Sequence, residues 1–328
     1  MREQGEFAAA AEEAGFESVW VSEVAGYDAV TQAAAVGGRT RRLRVGTAIV
    51  PIYTRNPLLM AMTAASLHEL LGGRFVLGLG TSTRVIMEEW HGTPWERPLA
   101  TMRAYVTLLR RFLAGERLST SEGPFRHRRA ALGVRAAAAP PIFLGALNDR
   151  MLELAGEVAD GVILNFASLR SVGRALERIE AGAVRGGRSR GDVEVAVFFR
   201  ATLTPDIQPV RERYARELLP YLLAPVYRRM FAAEGLDGVC AAVAEAWSQG
   251  RRAEALRVVP EELVRERALV GTPEACHARL QAYAAAGVDT AIVLPVPRPD
   301  RDYEEEVRSM IKVFGAMAPA PGGTTPAS

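Results

Sequence analysis

Asn56-Pro57-Leu58-Leu59-Met60, running on to Leu71 and then reading Gly72-Gly73-Arg74-Phe75-Val76-Leu77-Gly78-Leu79-Gly80, is a helix and a buried strand written end to end. Asn56 is an N-cap residue, Pro57 suits the first helical position, and Gly72-Gly73 ends the helix. The strand that follows is apolar on both faces, as in a parallel sheet covered on both sides. The same alternation extends in both directions. Upstream, a helix over Phe7–Ala14 stops at Gly15 and leads into strand Ser18-Val19-Trp20-Val21-Ser22; a helix from about Asp28 to Gly37 leads into strand Leu43–Val50. Downstream come strand Pro141–Gly145, helix Asp149–Val158, strand Gly161–Leu164, helix Ser171–Ala183 and strand Val193–Phe199. Thr272-Pro273-Glu274 caps a helix to Ala286, and strand Thr290–Leu294 comes last. This rhythm is that of βαβ units in an α/β protein.

These are seven strands, each accompanied by a helix. A (β/α)8 barrel needs one more, and a doubly wound sheet would begin with a phosphate-binding glycine turn. The chain opens directly on a helix with an apolar face, so the expectation is a barrel whose first strand lies upstream and is missing here. Two stretches interrupt the rhythm: residues 83–139, with a helix over Leu99–Leu113 and a polar, Arg-rich piece around Gly123-Pro124-Phe125-Arg126-His127, and the mostly helical 205–269, holding Tyr214, Tyr221, Tyr227, Phe231 and Trp247. Both read as insertions in one barrel domain over residues 1–318, with a disordered tail at 319–328. For 328 residues, a single elaborated barrel fits as well as two domains of roughly 150 residues each.

Composition narrows the function classes. With 49% hydrophobic and 24% charged residues the chain is ordinary globular protein. Forty basic residues against 38 acidic ones leave a net +2, and no long run carries one sign, so neither a nucleic-acid surface nor a membrane patch is expected. All the basic residues but Lys312 are arginine, a skew that reads as GC-rich codon usage. Cys240 and Cys276 are far apart and, although His277 adjoins one of them, have no metal-ligand spacing; reduced thiols in a cytoplasmic protein are expected. Ala136–Leu147, broken by Pro140-Pro141, is shorter than the ~18 residues of a membrane span, and the N-terminus has no signal-peptide core.

No Ser-His-Asp or Cys-His order, P-loop or metal-ligand spacing occurs, and none of His68, His91, His127 and His277 falls at a strand end. Gly78-Leu79-Gly80-Thr81-Ser82-Thr83 is a dinucleotide fingerprint lacking its third glycine; the turn either brings backbone close to a flat ligand or merely eases a tight βα connection. Gly145-Ala146-Leu147-Asn148-Asp149-Arg150 opens a helix at another strand end, where amides and dipole suit a phosphate or a plain N-cap suffices. Glu23, ending the first strand, is the ionisable group best placed for chemistry, or a solvated loop carboxylate. Such a set points to a cofactor supplying the hard step.

Taken together, Ala14–Glu23, Leu43-Arg44-Val45-Gly46-Thr47-Ala48, Arg55-Asn56-Pro57, Gly72–Gly80, Pro141–Ala146, Ala155–Gly161 and Val270-Gly271-Thr272-Pro273-Glu274, in collinear order over residues 7–297, resemble the luciferase-like monooxygenase superfamily. The resemblance implies a (β/α)8 TIM barrel with insertions that uses FMN or the deazaflavin coenzyme F420. The Glu23-Val24-Ala25-Gly26 turn is most similar to the deazaflavin branch, that of methylenetetrahydromethanopterin reductase. By position it implies a cis Ala48-Ile49 peptide backing the deazaflavin ring, cofactor contacts from Gly80, Thr81, Ser82, Gly145, Ala146, Leu147 and Asn148, and Glu23 beside the reacting centre. Several relatives place a histidine where this chain has Val24 and a glutamate where it has Thr83, so oxidation of a sugar phosphate or alcohol by those two groups is not expected. The expected function is hydride transfer between F420 and a small organic substrate in a cytoplasmic homodimer without metal. The alternatives are an FMN-dependent monooxygenase and a non-catalytic flavin-binding paralogue.

Overall fold

The computed structural model describes residues 2–134 and 138–317; the expected tail at 319–328 lies outside them. The described residues form β1 Ser18–Val21, β2 Arg44–Thr47, β3 Val50–Pro51, β4 Phe75–Gly80, β5 Leu118–Glu122, β6 Phe125–Ala130, β7 Ile142–Gly145, β8 Gly161–Asn165, β9 Glu194–Leu203, β10 Ala268–Gly271 and β11 Thr290–Pro295. Neighbours run parallel in the order β1-β2-β4-β7-β8-β9, with β11 along the other side of β9. This is a nearly closed parallel barrel containing the seven strands expected from sequence. β1 and β11 are its two edges, and no strand among the described residues bridges them. Outside these edges helix Arg2–Glu13 packs on helix Tyr303–Gly315, so closely at its end that a Cβ on Gly315 would lie 2.6 Å from that of Ala14.

Alternation along β9 separates the two sides of the barrel wall. Val195, Val197, Phe199 and Ala201 join the large core between strands and helices. Ala196 and Phe198 instead enter the barrel interior, with Val76, Phe143, Ile163, Ile292, Trp20 and Ile49. At the interior's lower end Arg44 pairs with Glu194 at 3.0 Å, and the Thr290 hydroxyl donates to Glu194 at 2.7 Å.

The cis Ala48–Ile49 peptide is as the resemblance implied, and three stretches differ in detail from the elements read from sequence. The strand expected over Leu43–Val50 is split: β2 stops at Thr47, the Ala48–Ile49 peptide is cis, and pairing resumes in β3 with Val50 opposite Leu79. At the break the Thr47 hydroxyl donates to Gly78 O and accepts from Gly78 N, both at 2.8 Å. A Cβ on Gly78 would lie 1.7 Å from the Thr47 carbonyl oxygen, so this close approach requires glycine. The Arg-rich piece of the first insertion is an antiparallel hairpin, β5–β6, turning through Gly123 at φ 53°. The second insertion ends in a strand: β8 occupies one side of β9 up to Phe198 and β10 takes up that side from Arg200. Its helices, Gln208–Leu223, Pro225–Ala232, Asp237–Ser248, Arg252–Arg257 and Glu261–Arg267, share a second apolar cluster built around Tyr214, Phe231 and Cys240.

Candidate active site

Above the interior side-chain layer, at the C-terminal ends of the strands, the barrel opens into a cavity of about 1050 Å³. A parallel barrel gathers its strand-end loops at this face, which is where such folds place their chemistry. All ten residues singled out from sequence line it: Glu23, Ala48, Ile49, Gly80, Thr81, Ser82, Gly145, Ala146, Leu147 and Asn148. They come from the ends of β1, β2, β4 and β7, which are successive neighbours in the sheet.

Ile49 forms part of the cavity's apolar wall. A Cβ on Gly80 would stand 2.6 Å from Ile49 Cδ1 and Cγ1, and one on Gly145 would stand 3.3 Å from Ile49 Cγ2. The two glycines therefore make room for the Ile49 side chain, where the sequence suggested room for a flat ligand or an eased turn. Ile49 and Ala48 themselves line the cavity and belong to the interior cluster with Trp20 and Phe198.

Beyond Gly80 the chain turns through Ser82, at φ 55°, and the Trp95 indole Nε1 donates to Thr81 O at 2.8 Å, so the first insertion closes over this side of the cavity. At the end of β7, Asn148 occupies the N-cap position of helix Asp149–Val158 but does not cap it; its Nδ2 donates to Val226 O at 3.1 Å. Met151 and Leu152 amides bond to Asn148 O, leaving Asp149 and Arg150 amides with no acceptor among the described residues. Those amides, the positive end of the helix dipole and Arg150 share the cavity wall with an Arg174–Asp149 ion pair at 2.9 Å, and the free amides and dipole suit an anionic group.

Glu23 lies on the wall but its carboxylate is engaged. Arg55 Nη1 donates to Oε1 at 2.7 Å and Nη2 to Oε2 at 2.9 Å, while Ala29 N donates to Oε2 at 3.0 Å. Both side chains of the pair are mostly buried, at 17% and 13% exposure. A bidentate guanidinium and a helix-start amide together fix the position of this carboxylate and occupy both of its oxygens. It ties the β1 turn to the start of helix Ala29–Gly37 and, through Arg55, to the turn before helix Pro57–Leu70. Val24, where the resemblance implied a histidine in several relatives, lines the cavity and is 51% exposed.

Four further residues line the wall: Asn165 and Arg200, which the sequence reading did not single out, and Tyr221 and Tyr227, from the aromatic helical region expected to shape the pocket. Asn165 Nδ2 donates to the Tyr227 hydroxyl at 3.0 Å, and Arg200 Nη1 donates to Asn165 Oδ1 at 2.7 Å. Burial raises the Tyr227 phenol above its ordinary pKa and keeps it neutral. Two of the four were within reach: Asn165 and Arg200 each lie two residues beyond an inward-facing residue, Ile163 and Phe198, and the strand period puts them on the same face. The tyrosines come from the second insertion, whose helical pattern does not say which face meets the barrel.

Among the described residues no group of three His, Cys, Asp or Glu could hold a metal ion, and no helix is long and apolar enough to cross a membrane. A protein of Mycobacterium tuberculosis whose name assigns it provisionally to coenzyme F420-dependent oxidoreductases is 35% identical over 317 residues, covering 88% of this chain and 89% of that protein. The 5,10-methylenetetrahydromethanopterin reductase of Methanolobus tindarius is 30% identical over 294 residues, with 89% of each chain covered. The structure of the coenzyme F420-dependent tetrahydromethanopterin reductase from Methanopyrus kandleri superposes with a TM-score of 0.81 at 23% identity, over 96% of this chain and 94% of that one, a likeness of fold. A model of the luciferase-like monooxygenases matches residues 1–290, running through every barrel strand up to the start of β11. With its strand-end cavity and these full-length relatives, the chain belongs to the luciferase-like monooxygenase family.

Proposed function

We propose that this protein is a coenzyme F420-dependent oxidoreductase that transfers hydride between the deazaflavin and a small organic substrate in the strand-end cavity. The observation that carries this reading is the cavity itself: an apolar wall of Ala48 and Ile49 together with an uncapped helix start at Asp149 and Arg150. A planar ring carrying an anionic tail matches that pair of surfaces. At about 1050 Å³ the space accommodates a cofactor and a small substrate together, since ligand pockets generally span about 300–1,000 Å³. The names of the relatives favour F420 over FMN.

When bound, the deazaflavin supplies hydride donation and acceptance at C5. Ala48 and Ile49 would back its ring, Thr81 and Ser82 would meet the ring edge, and the Asp149 and Arg150 amides would hold the tail phosphate. Trp95, fixed to Thr81 O, excludes water from that side. Glu23 keeps Arg55 and the β1 turn in place.

Titration of the purified protein with F420 and with FMN, with an oxygen electrode in line, tests the reading. F420 should bind more tightly than FMN, and oxidation of the reduced coenzyme by substrate should proceed without oxygen uptake. Tight FMN binding with oxygen consumption would make the protein a monooxygenase, and binding of either cofactor without turnover would make it a non-catalytic paralogue.

A further inference from the structure

Arg200 occupies an unusual position. It is 5% exposed, sits on β9 one inward layer above Phe198, and lines the cavity. A guanidinium offers five N–H donors and remains charged at any pH a folded protein meets. Nη1 donates to Asn165 Oδ1 at 2.7 Å, Nη2 lies 3.4 Å from the Tyr221 hydroxyl, and Nε is buried with no partner. No carboxylate among the described residues comes within 4.0 Å of it.

Arg267 shows how this chain otherwise treats a buried arginine. At 2% exposure it is paired with Glu234 at 2.6 Å and with Glu266 at 2.9 Å. Arg200 has aromatic faces in place of carboxylates: Phe166 at 3.8 Å from the guanidinium carbon, Phe198 at 5.4 Å and Tyr221 at 5.5 Å. Such stacking holds the plane of the guanidinium and offsets part of its desolvation, but it satisfies no in-plane donor. A buried cation with unused donors beside a ligand cavity lacks an anion, and the cavity is where one can enter.

We infer that Arg200 is an oxyanion receptor and that the substrate is an organic acid, whose carboxylate or comparable oxyanion it binds. The inference rests on the reading of the cavity as the site of cofactor and substrate. Phe198, directly below Arg200 on the inward face, shares the interior cluster with Ile49. This places the guanidinium over the centre of the barrel, close to the expected reacting face, whereas the helix start proposed for the cofactor's tail is at the end of β7. The same chemistry could be met by an oxyanion of that tail, so the test separates the two sources.

Thermal unfolding and binding titrations of wild type, Arg200→Gln and Arg200→Lys, at constant chloride ionic strength, test the inference. The probes are benzoate, its neutral isostere benzamide, F420, and the tail-less deazaflavin riboside. Benzoate at about a hundredfold excess over its Kd should raise the wild-type unfolding temperature by roughly 4–10 °C, saturably, and benzamide should not. In Arg200→Gln the benzoate shift should vanish while the unliganded protein unfolds at or above the wild-type temperature, because an unpaired buried charge has been removed. Arg200→Lys should keep the charge but lose the fork, weakening benzoate by about tenfold; this variant decides the matter if Arg200→Gln does not fold. Both deazaflavins should bind wild type and Arg200→Gln alike. Loss of F420 affinity alone in Arg200→Gln, with the riboside unaffected, would assign the oxyanion to the cofactor and overturn the organic-acid substrate. Benzoate that stabilises neither protein, or both equally, or an Arg200→Gln protein that unfolds well below wild type, would overturn the receptor itself. If neither deazaflavin binds wild type while the benzoate contrast persists, the F420 reading fails and the receptor stands.

Discussion

Ile49, Gly80 and Gly145 act as one unit, because the branched side chain fills the space that two missing side chains leave. Gly80→Ala brings a methyl to 2.6 Å from Ile49 Cδ1 and Cγ1, atoms at the flexible end of a side chain. We expect Ile49 to swing into the cavity, so that F420 affinity falls by about tenfold or more while unfolding free energy drops by only about 1–2 kcal/mol. Adding Ile49→Ala should restore much of the affinity, and titration of the single and double variants measures that coupling. Glu23 leads to a different expectation. Because its oxygens are bound by Arg55 and Ala29 N, Glu23→Gln should cost about 1–3 kcal/mol of stability in thermal unfolding. Turnover should fall less than about tenfold, whereas loss of a general acid or base costs about 10²–10⁴-fold. Glu23 was legible as a strand-end acid. Its partner Arg55, 32 residues along, was not, since spacing says nothing about which turns of a barrel meet.

Helices Asp149–Val158 and Leu169–Arg185 show the same logic over a longer contact. A Cβ on Gly156 would lie 2.1 Å from Ile179 O, and one on Gly182 would lie 1.9 Å from Glu153 O, so the two backbones touch at both glycines. Gly173, exposed on the second of these helices, has nothing within 4 Å. Gly182→Ala should therefore destabilise by about 2 kcal/mol or more, by forcing apart the pair that carries the uncapped Asp149 start. Gly173→Ala should stabilise by about 0.5–1 kcal/mol, since alanine is the better helix former. Chemical denaturation of both variants checks the contrast; two destabilised proteins would sink this account of the glycines. The elements missed from sequence were those without a one-sided pattern. β5 and β6 are exposed or half-buried along most of their length and are held by pairing with each other, while β10 is a four-residue strand paired alongside the last residues of β9, beyond the end of β8.

Both cysteines are buried at 1% exposure in different clusters, Cys276 in the barrel core and Cys240 among the second insertion's helices. Burial pushes the Cys276 thiol up to about 11 and raises that of Cys240. A raised pKa keeps a thiol protonated below it, and the thiolate is the reactive form, so both should be inert to an aromatic disulfide reagent at pH 8. In denaturant two thiols per chain should react. Rates of modification under native conditions then report opening: equal rates mean that barrel and insertion open together, and a faster Cys240 means that the insertion opens first. Fast modification of Cys276 in the folded protein would contradict the packing described.

Read alone, the chain's residues determined the alternation of seven strands with helices, the caps at Asn56 and Thr272 and the strand ends where a cofactor belongs, because each depends on the periodicity or hydrogen bonding of neighbouring residues. Asn165 and Arg200 lay just past the strand ends read from sequence, at Leu164 and Phe199, and the longer strands of the structure bring them onto the inward face. Only the tertiary structure decided that Ile49 fills Gly80's vacant space, that Glu23 is held by Arg55, that Tyr227 comes down from an insertion onto Asn165, and that Arg200 has no carboxylate beside it among the described residues. Those contacts join residues 31 to 62 positions apart, or consist of a missing partner, and free energy of that kind comes from which groups share a low-dielectric space.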